Sequence, residues 1–172
     1  MFFYFDEKIR TYEKRYQWDE SLKYLETLYL KSQQFSVLNA LVGYSWLYLV
    51  EGPLISGKYQ EDTNILPLQY WKKYIDIGTQ EAYNNSSFNF IAGYTLSLHG
   101  LLINDEYEHK GPLFLKICLD ISDNIMLQQL AENFLKNEKS SQYIPLKEGN
   151  AICAQLFKGE SLLDGYFNEI YT

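Results

Sequence analysis

The side chains of this 172-residue chain with an aptitude for catalysis are few: His99, His109, Cys118, Cys153 and the acids Asp105, Glu106 and Glu108. The two histidines sit in different kinds of sequence, His99 beside Leu98 and Leu101 and His109 in a polar run. No HExxH or Cys/His spacing surrounds either, so no metal centre is expected. Neighbouring carboxylates can tune one another's protonation for acid/base work. Here they follow an apolar run and read as a charged, solvated loop, with contact to a basic partner as the other reading. Cys118 and His109 can meet only through tertiary folding, and nothing nearby orients them as a nucleophilic dyad. G-x-S-x-G, GxxxxGK[ST] and dinucleotide glycine patterns are absent. The expectation is a protein with no catalytic residue, no cofactor and no metal.

The elements that would carry these residues are helical. A short helix is expected within Tyr4 to Tyr16, followed by Asp19 to Ser32, where Leu22, Leu25, Leu28 and Tyr29 recur at spacings of three and four. Ser36 to Val50 carries few charges and is expected to be enclosed on several sides. Gly52-Pro53 ends that hairpin, and the polar stretch to Asn64 reads as a loop. Pro67 suits the first turn of the next helix, which Asn84-Asn85 closes before an inner helix from Ser87 to Ile103. Gly111-Pro112 introduces Leu113 to Ile121, then come Asn124 to Leu135, Gly149 to Phe157 and Leu162 to Ile170.

Two of these hairpins echo each other. Lys23-Tyr24-Leu25-Glu26 aligns with Lys73-Tyr74-Ile75-Asp76, Asn39 with Asn89, and Val42-Gly43-Tyr44 with Ala92-Gly93-Tyr94, at a constant offset of 50. Glycine inside a helix costs about 1 kcal/mol relative to alanine, so its recurrence at Gly43 and Gly93 points to close helix crossing. The fold expected is all-α: an irregular antiparallel helical-hairpin array or short α-solenoid of seven or eight helices in one domain, 1–172. Its internal repeat covers 19–50 and 67–103, and its C-terminal helices cover 112–172. A chain of this length buries roughly 70% of its unfolded surface.

The formal charge is -7, with no compensating block of lysines or arginines. Nucleic-acid affinity rests on cations that displace phosphate counterions, so no direct nucleic-acid binding is expected, and a basic protein surface is the complementary partner. Met1-Phe2-Phe3-Tyr4-Phe5 meets Asp6 and Glu7 at once and lacks the form of a secretory signal. Leu96 to Ile103 is far shorter than the roughly 20 residues that cross a bilayer. With two cysteines and no CxxC, a cytoplasmic, reducing setting without membrane insertion is the expectation. The 16 tyrosines fall largely at helical spacing, where rings pack between helices and hydroxyls reach polar partners.

Trp18-x2-Ser21-Leu22 and Trp71-x2-Tyr74, with the paired Lys-Tyr and Gly-Tyr motifs, loosely resemble the opening of a tetratricopeptide-like repeat over residues 18 to 103. As a small, acidic, aromatic-rich helical chain, the whole is also similar to immunity proteins of bacterial contact-dependent inhibition and related toxin systems. That resemblance implies a non-catalytic protein that neutralises one cognate toxin, often a nuclease, by covering its basic active-site surface. A helical-repeat adaptor that binds a peptide or protein, and a small helical enzyme, are the alternatives. The residues expected to meet a partner form an acidic strip along two loops: Tyr59, Glu61 and Asp62 in the first, Asp105, Glu106, Tyr107 and Glu108 in the second.

Overall fold

A computed structural model of the chain describes residues 2–52, 65–138, 149–158 and 161–169. It divides into two compact units, Phe3–Glu81 and Ala82–Thr172. All regular structure among the described residues is helical, in nine α-helices and one 3-10 turn.

The first unit holds α1 (Glu7–Lys14), α2 (Trp18–Ser32), α3 (Phe35–Val50) and α4 (Ile65–Glu81). Asp6 starts α1 by accepting the backbone N–H groups of Lys8 at 3.0 Å and Ile9 at 2.9 Å, which satisfies two donors that a helix start leaves open. Gln33, in the left-handed conformation, ends α2 and donates its N–H to the Tyr29 carbonyl. Leu22, Leu25 and Tyr29 form the buried stripe of α2. Every residue of α3 from Val37 to Tyr48 is buried, as a helix with few charges requires. It lies between α2 and α4, and α4 closes the core with Trp71, Tyr74 and Ile75.

The second unit holds α5 (Ser86–His99), the 3-10 turn Gly100–Leu102, α6 (Asp105–Ile121), α7 (Ile125–Glu138), α8 (Gly149–Leu156) and α9 (Leu162–Glu169). Side-chain caps set its helix starts: Asn85 accepts from Phe88 N–H at 2.9 Å, Asn104 from Tyr107 N–H at 3.2 Å, and Asn124 from Met126 N–H at 3.0 Å. The helices α5 and α6 run antiparallel at backbone contact. A Cβ added to Gly93 would stand 2.8 Å from the Leu115 amide nitrogen, and one added to Gly100 would stand 2.6 Å from that of Glu108. One added to Gly111 would collide with the Ser97 backbone. The close crossing expected from Gly93 is therefore present, completed by two glycines on the turn and on the facing helix. Phe157 stacks on Phe167 at 4.8 Å, and Tyr94 meets Phe134 at 4.9 Å and Phe167 at 5.1 Å, which makes the centre of this unit aromatic.

Two elements differ from their sequence expectation: the inner helix expected to reach Ile103 ends at His99 and passes into the 3-10 turn, and the next helix starts early. The helix expected from Leu113 begins at Asp105 and continues through Pro112, so the acids lie in a first helical turn rather than in a loop. Asn104 nucleates the turn, and acids near a helix N-terminus meet its partial positive charge. Pro112 forgoes only the bond its N–H would have made to the Glu108 carbonyl.

The helix bounds follow the offset of 50 residues seen in the sequence only approximately. Helices α2 and α4 correspond, as do α3 and α5. Ser45 and Thr95 occupy equivalent positions and both return a hydroxyl to the carbonyl four residues earlier, those of Leu41 and Ile91. Helix α4 belongs to the first unit and α5 to the second, so residues 67–103, expected as the second hairpin, are divided between the units.

Candidate functional site

The corner where α5 turns into α6 joins an apolar surface to an acidic one. Leu98 in the last turn of α5 is 42% exposed, and Leu101 and Leu102 in the 3-10 turn are 58% and 52% exposed. Asp105, Glu106 and Glu108 follow on the first turn of α6, all exposed. The backbone holds the two together, because Gly100 rests on the main chain of Tyr107 and Glu108. Glu106 pairs with Lys110 at 2.6 Å, one helical turn on, and keeps 70% of its side chain exposed. Such an exposed pair contributes little to stability and leaves the carboxylate accessible to another cation.

Tyr107 departs from its expected role as an aromatic contact. It is only 5% exposed and points into the protein, with the Lys110 ammonium 4.5 Å from its ring centroid. The helical period explains this: Tyr107 shares the inward face of α6 with Gly111, Phe114 and Cys118. Tyr59, Glu61 and Asp62 lie outside the described residues. The exposure of the three leucines is not legible in the sequence reading, where Ser87 to Ile103 is one inner helix. The signal was the Gly100 interruption, after which the chain abandons α-helical spacing for a 3-10 turn.

A second set of polar contacts is structural in character. Four carboxylates of the first unit accept bonds from tyrosine hydroxyls. Asp6 takes Tyr4 at 2.9 Å and Tyr24 at 2.7 Å, Glu13 takes Tyr44 at 2.9 Å, and Glu81 takes Tyr29 at 2.6 Å. Glu26 takes Tyr70 at 2.7 Å and Tyr74 at 2.8 Å, with the Lys73 ammonium at 2.6 Å. Burial works to raise the Glu26 carboxyl, but the bonds from Lys73, Tyr70 and Tyr74 outweigh it and hold the group below the usual range. Burial and then the Glu26 bond push the Tyr70 and Tyr74 hydroxyls well above theirs. An acid held deprotonated against hydroxyls that hold their protons is a helix-to-helix clamp, joining α2 to α4.

Cys118 and His109 share α6, nine residues or about 13 Å apart along its axis, with Cys118 buried and His109 exposed, so they form no dyad. Burial pushes the Cys118 thiol up to about 12 and the Cys153 thiol to about 11. His99 ends α5, half-buried. Among the described residues no cluster of His, Cys, Asp and Glu is arranged to hold a metal ion, and no helix is long and apolar enough to cross a membrane. No family model, curated protein or solved structure matches the chain.

Proposed function

We propose that this chain is a non-catalytic inhibitor that binds a basic surface of a protein partner, and that the partner is a cognate bacterial toxin such as a nuclease. The observation that carries this reading is the exposed acidic turn Asp105, Glu106 and Glu108 on a chain of net charge -7. Carboxylates fixed on a rigid helix end can occupy positions on a basic surface that substrate phosphates would otherwise take, and long-range attraction between opposite charges speeds encounter. The closely packed α5–α6 pair would supply a scaffold that loses little entropy on binding.

The test is co-expression with the product of the gene that neighbours its own, assayed for toxicity by itself. Cells should survive only when this chain is present, and the two proteins should co-purify at low salt. Toxicity that persists in the presence of folded chain, with no complex formed, would overturn the assignment.

A further inference from the structure

We infer that Leu98, Leu101 and Leu102 form an apolar docking surface for a cationic amphipathic segment of a protein partner, one that presents apolar side chains flanked by lysine or arginine. This rests on the reading of the chain as a protein-binding molecule but not on the partner being a toxin.

Three leucines between 42% and 58% exposed within five residues place apolar side chains together on one corner, and exposed apolar surface rimmed by polar residues marks interaction sites. Their place is fixed rather than frayed, because Gly100 between them packs against the Tyr107 and Glu108 backbone and Asn104 caps the helix that follows. Asp105, Glu106 and Glu108 border the patch from the same corner and select its occupant. A second copy packed symmetrically corner to corner would bring those acids against their own counterparts, and an acidic segment would meet the same repulsion. A cationic segment finds complementary charge around an apolar centre. Leucines contribute to retention through desolvated contact, while exposed acids act mainly on the rate of encounter.

The probe is an amphipathic peptide of about five helical turns with leucine on one face and lysine on the other, titrated into the full-length, isotope-labelled chain and followed by backbone amide shifts. Two control peptides accompany it: one with glutamate in place of lysine, and an oligolysine without leucine. Shifts should centre on residues 98–108 with the leucine–lysine peptide and be absent with both controls. The double variant Leu101→Ser, Leu102→Ser should keep the helical circular dichroism spectrum and weaken binding by about tenfold or more. The triple variant Asp105→Asn, Glu106→Gln, Glu108→Gln should lose most of the salt dependence.

Equal binding of oligolysine, shifts centred elsewhere, or unchanged affinity in the leucine variant would overturn the inference. So would self-association of the natural chain that the leucine variant relieves, since a second copy would then cover the patch. If the peptide seats on this corner while the chain fails to protect against the adjacent toxin, the docking surface stands and the toxin assignment falls. Protection retained in full by the leucine variant gives the converse.

Discussion

Tyr74 on α4 donates its hydroxyl to Glu26 on α2 across 2.8 Å, and Tyr24, fifty positions earlier, makes the same bond to Asp6 at 2.7 Å. Each tyrosine thus reaches back to an acid earlier in the chain. Hydroxyl-to-carboxylate bonds of this kind tie helices of the first unit together while the rings fill the space between them.

The Glu26 clamp should make stability fall in acid. Its carboxyl is held below the ordinary 4.5, and that of Asp6 below 3.8. Groups lowered on folding contribute stability above their unfolded values, and this is lost as pH falls through the lowered ones. Thermal midpoints should therefore hold steady near neutrality and drop below about pH 4.5. Glu26→Gln should cost about 1–2 kcal/mol at pH 7 and flatten the acid slope. An identical acid profile in variant and natural chain would show that the clamp does not hold the charged form.

The glycine crossing gives opposite outcomes at different glycines. Gly93→Ala drives a methyl group against the Leu115 backbone, and Gly111→Ala drives one against Ser97. Each should destabilise by about 1–3 kcal/mol in denaturant titration, despite alanine's better helix propensity. A Cβ at Gly165 in α9 meets nothing within 4 Å, so Gly165→Ala should be neutral or stabilise by up to about 1 kcal/mol.

Both thiols should be inert in the native state. Cys118 and Cys153 are buried, with thiols raised to about 12 and about 11, which leaves almost no thiolate at neutral pH. An aromatic disulfide reagent at pH 8 should label them only as the chain unfolds, with both reacting promptly in denaturant. Rapid labelling of either in buffer would mean that its helix opens readily.

The acids at the start of α6 should also stabilise their helix. Neutralising Asp105, Glu106 or Glu108 removes a favourable interaction with the helix N-terminus. Each substitution should lower stability by about 0.3–1 kcal/mol at low ionic strength, with the deficit shrinking in salt. Melting curves at two salt concentrations measure this separately from any effect on binding.

The helical class and most element bounds follow from local pattern, because apolar spacing at three and four residues acts over a few residues. Gly93 announced a close crossing for the same reason, since a helix-interior glycine is costly unless a neighbour uses the space. Which residues would receive the tyrosine hydroxyls was not legible: Tyr44 reaches Glu13 and Tyr74 reaches Glu26 across different helices, and only chain packing chooses those acids. Tertiary structure also carried α6 back through Pro112 to Asp105, where a cap and a close-packed neighbour outweigh the local tendency of Gly-Pro to break a helix. That extension turned Tyr107 inward and set the acids on a rigid turn. The exposure of Leu98, Leu101 and Leu102 was settled in the same way, because burial depends on which helices arrive to cover a face, and composition leaves that open.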